Sequence, residues 1–341
     1  MPVVDADTHV IETERTWDYM GLSEEAFKPT SVEEASPSGE IRQFWLIDGR
    51  RFPRRANIGL ETSEATREMT DIEARLAHMD QLGVDVHVLY PTIFLRPLTD
   101  RPEVELALTR SYNRWLADIW AMGKGRLRWA AVLPLLSMEQ ALEEVRWASQ
   151  QGACAVFMRG LEGERRISDP YFYPLYEEAS RLDLPVGVHS ATGSFTLHDF
   201  FRDEPGFCKF KLAVIGAFHS LVYDEIPERF PRLRLGFIEV AAQWVPYAVQ
   251  DLAKRFKRRG KELPKDLFRD YRLYVACQTD DDLAYVLRYT GDGQLIIGSD
   301  YGHADTSSEL EALRNLKRQG GVDPAAVDKI LGDNPSAFYG L

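Results

Sequence analysis

Residues 2–9 read PVVDADTH, a short apolar, β-branched run that ends in Asp5, Asp7 and His9. Side chains alternate across a strand, so these three, at i, i+2 and i+4, are expected on one face at the mouth of a sheet. The same construction recurs twice. LPVGVHSA at 184–191 carries His189, and QLIIGSD at 294–300 ends on Asp300. Charged or imidazole groups that close runs such as VGV and LIIG are costly to bury unpaired. Convergence on a divalent ion removes that cost, and Asp7, His9, His189 and Asp300 are all of metal-ligand type. DxDxH alone is a weak signal, equally compatible with carboxylates capping a loop beside a hydrogen-bonded histidine.

Five further runs have the same character: VDVHVLYPT at 84–92, LRWAAVLPL at 127–135, ACAVFMRG at 153–160, LRLGFIEV at 233–240 and RLYVACQT at 272–279. Amphipathic segments lie between the runs, at 71–82, 102–122, 138–151, 172–182, 208–225, 243–258, 280–289 and 307–319. Eight strands, each followed by a helix, predict an α/β fold and specifically a (β/α)8 barrel. Asp71 and Gly83 are the expected cap residues of the 71–82 helix, and Gly152 closes the 138–151 helix. The rhythm lapses at 18–70, which reads as an insertion after the first strand. Within it, QFWLIDGRRFPRR at 43–55 reads as two short strands around an Asp48-Gly49 turn. Insertions after a barrel strand sit on the catalytic face, so this one is expected to roof the site, within a single domain spanning 1–341.

Composition narrows the function classes. Lys+Arg 41 against Asp+Glu 53 gives a net charge of −12, which disfavours nucleic acid as a partner. No apolar stretch reaches the length of a membrane span, and the first ten residues lack the pattern of a signal peptide. Three widely spaced cysteines, Cys154, Cys208 and Cys277, offer neither a disulfide framework nor a CxxC site, so a reducing cytoplasm is expected.

The combination of VDADTHVIE at 4–12, PVGVHS at 185–190, ERFPRLRLGFIE at 228–239 and IIGSDYGH at 296–303 resembles the amidohydrolase superfamily. It is most similar to the branch that holds decarboxylases of aminocarboxymuconate semialdehyde and γ-resorcylate together with many metal-dependent hydrolases. The resemblance runs from Val3 to the DNPSAFYG segment at 333–340. It implies a distorted barrel whose ion is held by Asp7, His9, His189 and Asp300, and a homodimer. One ion is expected, zinc first with manganese or iron as alternatives, and a second is not excluded. The chain departs from the decarboxylases at the end of strand six, where a catalytic His in an HGG- or HMG-like run is replaced by Glu239 in FIEVAAQWVP. Glu239 is therefore read as a general base or as a ligand of a second ion, against the alternative of a buried carboxylate paired with Arg or with a metal-bound His.

Other side chains complete the expectation. Arg159 closes strand four and is assigned to a substrate carboxylate, with a structural ion pair to Glu12 or Asp7 as the alternative. His303, three residues past Asp300, and His219, within KLAVIGAFHSLVY, are candidates for a second ion or for supporting the first. Trp17, Phe94, Phe195 and Trp244 are expected to line a pocket for a compact substrate with an anionic or aromatic part. Cys277 sits in acidic surroundings and reads as packing rather than as a nucleophile. The leading reading is a hydrolase of a small amide, ester, lactone or thioester, with Asp300 or Glu239 as the proton acceptor. The alternatives are non-oxidative decarboxylation of an aromatic or unsaturated acid and an inactive metal-binding barrel.

Overall fold

The computed structural model describes residues 1–35, 41–54 and 57–341. Arg55 of the expected hairpin and residues 36–40 and 56 of the expected insertion lie outside the described residues. Eight parallel strands make one sheet in sequence order: β1 (Val4–His9), β2 (Val86–Tyr90), β3 (Leu127–Val132), β4 (Ala153–Arg159), β5 (Val186–His189), β6 (Leu235–Ile238), β7 (Leu273–Cys277) and β8 (Leu295–Ile297). Beyond β8 the sheet returns to β1. Asp300 N donates to Asp7 O at 3.0 Å and His9 N donates to Tyr301 O at 2.9 Å, which nearly closes a barrel. The strands are buried throughout except at Val86 and Arg128, as expected for a parallel sheet covered on both faces.

The expected helices all form: α1 (Ile72–Leu82), α2 (Pro102–Met122), α3 (Met138–Gln150), α4 (Tyr173–Arg181), α5 (Leu212–Tyr223), α6 (Val245–Arg258), α7 (Leu283–Thr290) and α8 (Ala312–Arg318). Local chemistry sets their limits. The Asp71 carboxylate accepts from Ala74 N at 2.9 Å, and Gly83 adopts the left-handed φ of 72° that ends α1. Helix α8 begins later than the periodicity suggests because Ser307 and Ser308 are engaged in side-chain hydrogen bonds ahead of it.

Within 18–70, Ile41–Ile47 and Arg50–Pro53 form the expected hairpin, with Asp48 and Gly49 both at positive φ (47° and 74°), as its two-residue turn requires. A third strand, Thr30–Ala35, pairs antiparallel with the first of these. The chain then touches the loop after β8, where Gly59 N donates to Gly302 O at 2.9 Å.

Two features shape the barrel interior. Gly298 lets strand eight approach strand one, since a Cβ there would lie 2.3 Å from Asp7 Cβ. The helix Asn334–Tyr339 packs against the amino-terminal ends of the strands: Phe338 fills the space left by Gly236 and meets Tyr274 in a tilted contact at 4.9 Å. Tyr339 Oη donates to Ala6 O at 2.7 Å and meets Tyr90 Oη at 2.9 Å.

Candidate metal centre

The expectation that Asp5, Asp7 and His9 share a face fails at one point. Asp5 pairs with His87, yet Thr8 pairs with Leu89, so three steps along β1 match two along β2. This bulge reverses the alternation, sets Asp5 apart from Asp7 and His9, and re-aims the last two. Asp5 accepts from Ser299 N at 2.9 Å and from Ser299 Oγ at 2.5 Å, and burial pushes its carboxyl up to about 7 against those hydrogen bonds. His87 Nε2 lies 3.8 Å away, and His87 Nδ1 accepts from the buried Arg75 of α1. Asp5 and His87 thus belong to a polar seam behind the site.

Asp7, His9, His189 and Glu239 converge at the carboxyl ends of β1, β5 and β6, and Asp300 and His303 adjoin them after β8; all six are buried. His9 Nδ1 lies 2.9 Å from Pro91 O, so this nitrogen carries the proton and Nε2 is left as a bare lone pair. That lone pair faces Asp300 Oδ1 at 3.3 Å and Asp7 Oδ1 at 3.5 Å. Burial, with the neighbouring charges of His303 and His189, holds His9 well below the usual histidine range and therefore neutral. His189 directs Nε2 at Asp7 Oδ1 (3.1 Å) and Nδ1 at Glu239 Oε2 (3.3 Å). A neutral ring protonates only one of its nitrogens, so the other also opposes a carboxylate oxygen.

Electrostatics point the same way. Burial, followed by the charge of Asp300, pushes Glu239 well above the usual carboxylate range, and burial raises Asp300 to about 6 against the pull of His303. His9 Nε2, His189 Nδ1 and Glu239 Oε2 are buried without a hydrogen-bond partner, and Asp300 Oδ1 faces the rings of His9 and His303. Three carboxylates and bare imidazole nitrogens converging on one point form a donor set that a divalent ion fits. Glu239 and Asp300 also sit at positive φ, 61° and 53°, a strained conformation for residues other than glycine.

The remaining candidates separate. His303 belongs to the cluster: its ring stacks on His9 at 3.8 Å, Nδ1 lies 2.8 Å from Asp300 Oδ1, and Nε2 lies 2.9 Å from Thr92 Oγ1. His219 does not. It sits on α5 with Nε2 2.9 Å from Asp251 Oδ2 of α6, a clamp between two outer helices rather than support for an ion. Arg159 finds neither Glu12 nor Asp7: Nε donates to Glu162 Oε2 at 2.9 Å, Nη2 donates to the same oxygen, and Nη1 donates to Arg96 O at 3.2 Å. With Phe94 and Phe195 it lines a cavity of about 130 Å³ to which none of the cluster residues contributes. Trp17 is fully buried, edge-on to Trp45 at 6.1 Å, and is core. Cys277 is buried, and burial together with Asp281 raises its thiol, so it is no nucleophile.

A second cavity, about 590 Å³, does adjoin the cluster. Glu239 and Ser190 form part of its wall, Trp244, Phe207, Phe210 and Ile215 give it an apolar body, and Lys211 and Asp305 also line it. It is built from the loops after β5, β6 and β8. Lys211 was hidden in sequence inside FCKFKLAVIG, where a helix was expected to start. A lysine in so apolar a run is the signal that marks it.

A family profile described as Amidohydrolase matches residues 4–341. The chain belongs to the amidohydrolase family. A 2-amino-3-carboxymuconate-6-semialdehyde decarboxylase of Dictyostelium discoideum is 18% identical to this amidohydrolase over 87% of this chain and 81% of its own. Among solved structures, an amidohydrolase from Mycobacterium avium subsp. paratuberculosis superposes with a TM-score of 0.81 at 19% identity, covering 99% of both chains. The 5-carboxyvanillate decarboxylase of Novosphingobium aromaticivorans, complexed with manganese and 4-hydroxy-3-methoxy-5-nitrobenzoic acid, superposes with a TM-score of 0.71 at 16% identity, covering 100% of this chain and 96% of its own. Among the described residues of this amidohydrolase, no helix is long and apolar enough to cross a membrane.

Proposed function

We propose that this amidohydrolase is a metal-dependent carboxy-lyase that removes carbon dioxide from a compact aromatic or unsaturated acid. The observation that carries the reading is that Glu239 belongs both to the ligand cluster and to the wall of an apolar cavity. Asp7, His9, His189 and Asp300 would hold the ion. Bound there, a divalent ion would supply Lewis-acid charge for the substrate's carboxylate or carbonyl oxygen. The apolar wall around Trp244 and Phe210 takes the body of the acid and favours loss of the charged group as neutral gas. As the C–C bond to the carboxylate breaks, its electron pair stays on the substrate carbon. Glu239, on the cavity wall beside the cluster, is the group placed to deliver a proton to that carbon, and it regains one from solvent. Asp300 is fixed for its role by Ser308 Oγ, which donates to Oδ2 at 2.5 Å. Among the described residues of 18–70, Gly59 touches the loop after β8 by donating to Gly302 O. Three free cysteines accord with a reducing cytoplasm, and a homodimer rests on family resemblance alone.

Hydrolysis is the second reading, favoured by a carboxylate in place of the strand-six histidine. There Glu239 would accept a proton from water instead of donating one to carbon.

The test is a screen of metal-supplemented protein against hydroxybenzoates, unsaturated acids, esters, lactones and thioesters in D2O and in H2(18)O. Carbon dioxide release with deuterium at the vacated carbon and no 18O in the product is expected. 18O in the product without gas release would replace this reading with hydrolysis. Glu239→Gln should lower kcat by about 10²- to 10⁴-fold with metal content unchanged.

A further inference from the structure

Lys211 is the cation that lines the apolar cavity, and the reading above assigns it nothing. It ends the turn Phe207–Lys211, is half-buried, and lines the cavity together with Glu239. Nζ donates to Thr306 Oγ1 at 3.1 Å and to Ser307 Oγ at 2.9 Å. Both partners are neutral hydroxyls. An ammonium has three donors, so one remains over, and among the described residues no carboxylate lies within 4.0 Å of Nζ.

The acidic side chains near it are already committed. Asp305 Oδ2 accepts from Asn57 at 2.8 Å and Oδ1 accepts from Ser307 N at 2.7 Å. Glu239 faces His189. Arg159, the other cation near strand ends, is neutralised by Glu162 and lies on a different cavity. A chain of net charge −12 repels an anion in general, and an ammonium that lines an apolar cavity with no carboxylate in direct contact offers a local attraction for one, reduced by the nearby charges of Asp305 and Glu239.

We propose that Lys211 binds a second anionic oxygen group on the substrate, in the same cavity as the carboxylate that meets the ligand cluster. The substrate is then a dianion with two charged groups on a flat apolar body. This assignment rests on reading the cavity as the place where the acid binds.

Titration calorimetry on Mn²⁺-saturated protein with two non-reacting probes, benzoate and benzene-1,3-dicarboxylate, tests it. The wild-type protein should bind the dicarboxylate at least about tenfold more tightly than benzoate. Lys211→Met should remove that preference while leaving the benzoate Kd unchanged, and Lys211→Arg should keep it. Equal binding of the two probes by the wild type, or a preference that survives in Lys211→Met, overturns the role of Lys211 alone. Failure of both probes to bind overturns it together with the acid-site reading of the cavity. The wild-type comparison does not depend on how well either variant folds.

Discussion

The guanidinium of Arg159 is gripped by Glu162 from two nitrogens and by the Arg96 carbonyl from a third, with both side chains of the ion pair nearly buried. Removing one member of such a pair leaves the other charge stranded, at a cost of about 3–5 kcal/mol. Arg159→Met is therefore expected to destabilise the fold by roughly 3 kcal/mol in urea unfolding while leaving KM within about twofold of the wild type. A large rise in KM at unchanged stability would return Arg159 to substrate binding. The sequence displayed Arg159 at a strand end but hid its partner. Only the small ribbon of Leu161–Glu162 against Arg165–Arg166 turns Glu162 back toward it. The cluster residues were legible for the opposite reason: each closes an apolar run, and a polar side chain in that position has to answer for its burial.

The eight strands and the helices between them were legible from the alternation of apolar runs and amphipathic segments, and caps such as Asp71 and Gly83 set limits for a few of them. The bulge in β1 was not, because alternation assumes constant register and an inserted residue leaves no mark in one strand read alone. Helix α2 shows a further consequence of element placement. Glu105, in its first turn, accepts from Leu136 N at 2.7 Å, and burial raises its carboxyl to about 7 despite that bond and the charge of Arg159. The folded protein thus holds this proton more tightly than the unfolded chain, whose carboxyl titrates near its ordinary value. The associated stability is complete below about pH 4.5, falls as pH rises, and is lost above about pH 7. Glu105→Gln keeps the acceptor and removes the titration. Its unfolding free energy should change less between pH 4.5 and 8 than that of the wild type, by roughly 2–3 kcal/mol. Parallel pH profiles for the two proteins would show that Glu105 is ionised in the fold at low pH.

At the scale of the whole molecule, the ligand cluster joins β1, β5, β6 and the loop after β8, so an ion held there cross-links the barrel around its circumference. Chelation should lower stability, and restoring free metal to about 100 times its Kd should return about 2.7 kcal/mol. Identical unfolding curves with and without metal would show that the cluster does not bind it. The helix Asn334–Tyr339 carries another consequence, for biosynthesis. Tyr339 bonds to Ala6 beside Asp7, and the Thr8 bridge to Tyr301 completes the ring. Asp300 lies about 290 residues beyond His9 and Tyr339 about 40 further on, so synthesis separates His9 from Asp300 by on the order of 15–60 s at about 5–20 residues per second. Until Asp300 has emerged the cluster is incomplete. An ion held there would therefore be retained only after that interval, from the pool that the assembled barrel meets.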